Sequence, residues 1–266
     1  MSRERRPSKT HKRRAQGDAV GTDFRGALRS LTAARVGLER SGASLATGPL
    51  LDFRLAHARA RDAVHAPLDD ARLLAELSRL GLPTLAVASA AKDRAEYLMR
   101  PDLGRRLIAA DRARLNAARG DGYDVVFVVT EGLSAQAMAH VHAVLAELFP
   151  ALRRDRWRVA PLVLVRLGRV AVGDAVAEAL NADIAAVLIG ERPGLSAPDS
   201  MGTYLTWRPS AVTTDADRNC ISNIRAEGLR SGEAAMKLLH LLRAMRAQRG
   251  SGVALKDTGD ELLLDQ

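Results

Sequence analysis

Four short apolar runs, separated by stretches with helical spacing, constrain this chain more than any other feature of its sequence. The runs are Thr84-Ser89, Asp124-Thr130, Pro161-Arg166 and Ile184-Gly190, and helical stretches lie near Pro101-Arg119, Ser134-Phe149 and Val172-Leu180. Parallel strands cannot be joined by a tight turn and need a crossover, usually a helix, so this alternation predicts a parallel sheet with helical crossovers. Within the runs, VVFVV, PLVLV and IAAVLI are nearly continuous in apolar residues. That pattern suits strands covered on both faces better than strands with one wet face.

The fold class that follows is α/β: a Rossmann-like or flavodoxin-like doubly wound, mainly parallel sheet with an N-terminal helical extension. Aromatic residues make up only 3% of the chain, so Ala, Leu and Val must fill the core. Apolar residues recur at helical spacing from Asp23 through Phe24, Leu28, Leu31 and Val36, and again through Leu50, Leu51, Leu55 and Val64 after a Gly48-Pro49 break. A third helix is predicted over Leu68-Leu80, behind Pro67, with Asp69 and Asp70 in its first turn and Gly81 at its end. Tyr204-Trp207 reads as one more strand and Gly232-Arg246 as a closing helix. The expected organisation is a disordered basic tail over 1–22, a helical region over 23–82, the sheet domain over 83–250 and a C-terminal tail over 251–266.

The formal charge of +9 suggests nucleic acid at first sight. However, the first fourteen residues hold seven Lys and Arg against Glu4 alone, so 7 − 1 = +6 of it lies there and +3 is left for the body. A nucleic-acid role would rest on the tail and would weaken steeply with salt. The single cysteine, Cys220, excludes an intramolecular disulfide, and no signal-peptide pattern or run of eighteen apolar residues occurs. These features predict a reducing, cytoplasmic compartment.

Ligands of open parallel sheets bind outside the carboxyl ends of the strands, so polar clusters just after the apolar runs are the informative ones. Gly190-Glu191-Arg192-Pro193-Gly194-Leu195 places a carboxylate at the sheet edge, although by residue type alone a plain turn is the commoner reading. In Leu167-Gly168-Arg169-Val170 the glycine could let a ligand approach the backbone, and Arg169 could meet a polar ligand or simply be solvated. Asp217-Arg218-Asn219-Cys220-Ile221-Ser222-Asn223-Ile224 is dense in short polar groups, with Cys220 readable as a small buried hydrophobe. Arg100-Pro101-Asp102-Leu103-Gly104-Arg105-Arg106-Leu107 has Pro at a predicted helix start and an arginine pair suited to a subunit contact.

Dinucleotide, P-loop, HExxH and CxxC motifs are absent from the sequence, which removes the usual signatures of a nucleotide-binding dehydrogenase, an NTPase and a zinc enzyme. The six histidines build no metal site at this level of reading.

Read in order, YLMRPDLGRRL, VTEGLSAQA, VRLGRV, LIGERPGLS and DRNCISNI resemble the signature blocks of the ethanolamine ammonia-lyase small (light, beta) subunit. The likeness runs from about Phe24 to Met245 and takes in LLDFRLAHARARDAVHAPLD. It implies an ammonia-lyase, inactive as this chain alone. In such an enzyme the small subunit covers adenosylcobalamin while a large subunit, in a hetero-oligomer of several copies of each, holds the substrate. By the same resemblance Val170, Glu191 and Cys220 line the cobalamin, no catalytic residue lies on this chain, and the reaction turns ethanolamine into acetaldehyde and ammonia by radical chemistry. Base-on binding is implied, and no D-x-H-x-x-G motif is present to supply a replacing histidine. Glu131 stands where the family usually has aspartate, and the short basic tail differs from the longer tails that send some relatives into a bacterial microcompartment.

Overall fold

Both faces of the predicted sheet are covered, and the residues alternate between them as the apolar runs require. The computed structural model describes residues 18–32 and 34–255. A smaller unit ends at Ala56 and a larger one begins at His57. The smaller unit holds a helix Asp18–Leu31 (α1), a hairpin of β1 (Arg40–Ser41) and β2 (Ser44–Leu45), and the first half of the helix Thr47–His65 (α2). The tail predicted over 1–22 lies outside the described residues as far as residue 17; from Asp18 the chain is helical, since the apolar spacing of Phe24 and Leu28 extends back in sequence to Val20. Val36 is not part of that helix, which stops at Leu31. Gly48 and Pro49, predicted as a break, instead sit in the first turn of α2, where the missing proline N–H costs no helical hydrogen bond.

The larger unit contains, in chain order, α3 (Asp70–Ser78), β3 (Thr84–Ala88), α4 (Arg94–Met99), α5 (Ala109–Ala117), β4 (Tyr123–Thr130) and α6 (Val141–Arg154). There follow β5 (Leu162–Arg166), α7 (Val172–Leu180), β6 (Ala182–Gly190), β7 (Met201–Trp207), β8 (Arg218–Ile224) and α8 (Ser231–Gln248). Its six-stranded sheet runs β3-β5-β4-β6-β7-β8. The pairings from β3 through β6 are parallel, whereas β7 and β8 are antiparallel additions, so the sheet is mixed. Helices on both faces make this an α/β fold compatible with double winding. One face packs Val125, Phe127, Leu162, Leu164, Ile184 and Leu188 against α3, α6 and α8. The other packs Val126, Val128, Val163, Val165, Ala185 and Val187 against α5 and α7.

Several local predictions are corrected by this arrangement. The sequence predicts one helix over 101–119, but the chain forms α4 before Pro101, a 3-10 turn at Leu103–Arg105 and then α5. Backbone pairing of Ser89 with Leu107 draws that segment out of helical geometry. Asp69 is the N-cap of α3, its carboxylate accepting from the Arg72 N–H, and is not a first-turn residue. Leu73 and Leu77 of α3 enter the sheet core, so α3 belongs with the sheet although the sequence reading ends its helical region at residue 82. Leu255 is likewise buried in that core, inside the stretch read as a tail; residues 256–266 lie outside the described residues. The polar block 217–224 carries the edge strand β8, which apolar patterning could not reveal.

That edge strand is tied down by a buried ion pair. The Arg218 guanidinium donates to both carboxylate oxygens of Asp174 on α7, at 2.7 and 2.6 Å, and to the Thr206 hydroxyl at 2.9 Å. Side-chain exposures of 4% for Arg218 and 14% for Asp174 mean that removing one partner strands the other charge away from water. Asp174→Ala is expected to cost about 3–5 kcal/mol in urea unfolding of the chain; a loss under about 1 kcal/mol, the range of exposed pairs, would contradict this role.

Candidate functional site

Every parallel strand ends on the same edge of the sheet, and there the 100–107, 167–170 and 190–195 blocks meet the loop after β4 and the Ser222–Ile224 end of β8. The convergence depends first on two glycines. Leu133 N–H donates to the Gly190 carbonyl at 2.9 Å, and Gly132 has a left-handed backbone with φ of 51°. A Cβ on Gly190 would overlap the Ser134 and Glu131 carbonyl oxygens, and one on Gly132 would overlap the Gly190 carbonyl. The loops after β4 and β6 therefore interlock backbone to backbone, and only glycine permits the approach.

Between β4 and β5 the chain leaves toward opposite faces, by α6 on one side and α7 on the other, which marks the usual ligand crevice of a doubly wound sheet. Here the protein closes that crevice itself. Glu131, only 5% exposed, accepts from the Leu167 N–H at 2.9 Å and from the Thr130 hydroxyl at 3.3 Å, and Gly168 N–H donates to Thr130 Oγ1 at 3.0 Å. The glycine read from sequence as an opening for a ligand serves instead to bring this loop onto Thr130. Burial pushes the Glu131 carboxyl above its ordinary value, opposed by the Leu167 N–H and by the charge of Arg94.

Tyr97, fully buried, joins the same cluster. Its hydroxyl donates to the Gly168 carbonyl at 3.2 Å, and two guanidinium groups lie over its ring, Arg169 at 4.1 Å and Arg94 at 5.0 Å from the centroid. Burial raises the Tyr97 hydroxyl to about 12, with the two arginines opposing. Arg94 also bonds the Gly132 carbonyl at 2.6 Å and Arg169 bonds the Tyr97 carbonyl at 3.1 Å. Arg169 is thus a half-buried structural cation and not the solvated arginine that a loop position suggests.

Beyond this plug lie the three residues singled out from the sequence: Val170 in the loop after β5, Glu191 directly after β6 and Cys220 midway along β8. Glu191 follows β6 and is half-buried; its carboxylate accepts from the Ser200 hydroxyl at 2.5 Å, the Ser222 hydroxyl at 2.5 Å and the Asn223 N–H at 3.2 Å. Cys220 is exposed on β8, opposite Tyr204 in the ladder. It is not the buried hydrophobe that residue type suggests. Ser222, which donates to Glu191, follows Cys220 by two residues on β8, and Tyr204 faces Cys220 across the ladder, which places Glu191, Cys220 and Tyr204 in one neighbourhood. Val170 and Tyr204 both border the apolar cluster on the α5 and α7 face. Ser200, Gly202 and Tyr204 were not legible as site residues; the one available signal was the density of short polar groups in 217–224.

A carboxylate that already accepts three hydrogen bonds keeps room for one more donor, so this edge suits a ligand offering an N–H or O–H beside apolar surface. Comparison with known proteins identifies the family. The family model described as ethanolamine ammonia-lyase light chain matches residues 22–256. An ethanolamine ammonia-lyase small subunit of Ralstonia nicotianae is 51% identical over 244 residues, covering 90% of both chains. One of Xanthomonas campestris pv. campestris is 52% identical over 241 residues, covering 89% of both, and one of Pseudomonas aeruginosa is 51% identical over 242 residues, covering 90% of this chain and 89% of the relative.

The raised Glu131 carboxyl has a consequence for stability. Between the ordinary value of 4.5 and its raised native value, the folded chain binds more protons than the unfolded one, so stability is lost as pH rises through that window. Glu131→Gln, which keeps the acceptor for Leu167, is expected to gain stability relative to the parent as pH rises through the window in urea unfolding. A difference that stays constant with pH would show that Glu131 titrates normally.

Proposed function

The chain belongs to the ethanolamine ammonia-lyase small-subunit family, and from that membership we propose that it covers adenosylcobalamin, held base-on, in a complex with the large subunit that turns ethanolamine into acetaldehyde and ammonia. The observation that carries the reading is Glu191 at the end of β6, a half-buried carboxylate with an acceptor position to spare, held by Ser222 two residues along β8 from an exposed thiol. That donor and acceptor set fits cobalamin, whose corrin rim is apolar and carries amide N–H groups. The doubly wound sheet is in this reading Rossmann-like in its layering, with its usual crevice plugged and the ligand surface shifted toward β6 and β8.

When bound, adenosylcobalamin supplies the radical that takes hydrogen from ethanolamine. The residues of this chain bind and shield. Val170 packs against the macrocycle, Glu191 accepts a hydrogen bond from an amide or an adenosyl hydroxyl, and Cys220 makes a small polarizable contact. None of them needs to move a proton, so the chain has no activity by itself and the substrate pocket belongs to the large subunit. Among the described residues no helix is long and apolar enough to cross a membrane.

Acetaldehyde formation from ethanolamine plus adenosylcobalamin tests the assignment, comparing this chain, the large subunit and the two co-expressed. Activity is expected in the co-expressed complex alone; turnover by this chain by itself, or an inactive assembled complex, would contradict it. In that complex Glu191→Gln is expected to release cobalamin more readily, an effect larger than its effect on the urea midpoint of the chain. Unchanged retention would count against Glu191 as a cofactor contact.

A further inference from the structure

The Glu191 carboxylate does not sit at the end of β6 as a free side chain; it lies across β7 and is gripped from β8. Its backbone N–H pairs with the Ser200 carbonyl at 2.9 Å, just before β7. Beyond that point the side chain passes Gly202, where a Cβ would stand 2.8 Å from Oε1 and 3.2 Å from Cγ, so any larger residue there would displace the carboxylate. On the far side the β7–β8 ladder is irregular. Met201 pairs with Ile224 and Thr203 with Ile221, so the single residue Gly202 faces two residues, Ser222 and Asn223. This is a β-bulge, a device that turns a side chain out of the regular alternation and withdraws an N–H from the ladder. Asn223 adopts a left-handed φ of 59°, which asparagine tolerates better than most residues. Both groups released by the bulge, the Ser222 hydroxyl and the Asn223 N–H, are used on Glu191.

The oxygens are loaded unequally. Oε2 accepts from Ser200 and from Asn223 N–H, while Oε1 accepts from Ser222 alone. A carboxylate oxygen accepts about two hydrogen bonds, so one position is left, on Oε1. We propose that Ser200 and Ser222, with the Gly202 bulge, are positioning residues that hold Glu191 so that Oε1 presents a single acceptor to a primary amide or hydroxyl of the cobalamin. The inference rests on the assignment of Glu191 to the cofactor. An unrestrained glutamate has three rotatable bonds and would have to be ordered on binding; here the serines have already fixed it, and preorganisation of this kind appears as affinity.

The test is a titration of cyanocobalamin into the assembled complex of the full chain and the large subunit, read by absorbance, so that turnover is not the readout. Ser200→Ala, Ser222→Ala and the double variant are compared with the parent, and all are repeated on a Glu191→Ala background. Each serine variant is expected to weaken binding about 5-fold, the size of one lost hydrogen bond, with Ser222→Thr restoring the parent value because the hydroxyl is kept. On the Glu191→Ala background the serine variants are expected to change nothing further, since there is no carboxylate left to hold. If Glu191→Ala weakens binding but the serine variants bind as the parent does, positioning is overturned and the cofactor contact stands. Serine effects that persist at full size without Glu191 overturn it as well, because they would reflect general damage to the hairpin. Parent-like binding by Glu191→Ala overturns both the contact and the inference built on it.

Discussion

Backbone contact between the loops after β4 and β6 organises the carboxyl edge of this protein. Gly132 and Gly190 approach so closely that neither has space for a side chain. With the loops locked, Glu131 is directed inward under Leu167 and Glu191 outward across β7. The two carboxylates therefore have different fates, though each follows a strand of the same sheet. Glu131 is buried and completes the packing of the β4–β5 crevice, whereas Glu191 remains half-exposed and faces a ligand in the proposed reading.

Closing the crevice has a structural cost that the surrounding residues offset. A buried carboxylate, two half-buried guanidinium groups and a buried tyrosine hydroxyl would each be unfavourable in an apolar interior. Most of their polar atoms are matched: Arg94 on Gly132, Arg169 on the Tyr97 carbonyl, the Tyr97 hydroxyl on Gly168, and Glu131 on Leu167, while Arg94 Nη2 and Arg169 Nε are buried without a hydrogen-bond partner and lie in guanidinium groups stacked on the Tyr97 ring. The result is a hydrogen-bonded polar floor beside the β6–β8 side of the edge. Such cross-bonding suits a subunit whose proposed work is to bind and shield, because its contribution lies in holding groups in place before the cofactor arrives.

The strands were legible because burial on both faces leaves a nearly continuous apolar run, and β3 to β6 fall within two residues of their sequence boundaries. The antiparallel strand β8 was not, because Arg218 is spent on a buried ion pair, Ser222 and Asn223 sit in a bulge, and the stretch therefore shows dense polar groups in place of an apolar run. The break of the predicted 101–119 helix depends on tertiary pairing of Ser89 with Leu107, which no local pattern encodes. Among the site residues, Val170, Glu191 and Cys220 came from family resemblance, and residue type alone misjudged the setting of Arg169 and Cys220. The serines that hold Glu191 could not be singled out, since Ser200 and Ser222 become neighbours only through the return of the hairpin.

The measurement that bears most directly on the account is the structure of the complex with the large subunit and cyanocobalamin bound. The account predicts Glu191 Oε1 within hydrogen-bond distance of a corrin amide nitrogen, with Ser200 and Ser222 still donating to the carboxylate and Val170 and Cys220 against the macrocycle. Cobalamin bound away from the β6–β8 edge, or a Glu191 side chain that has left both serines to reach it, would contradict the account.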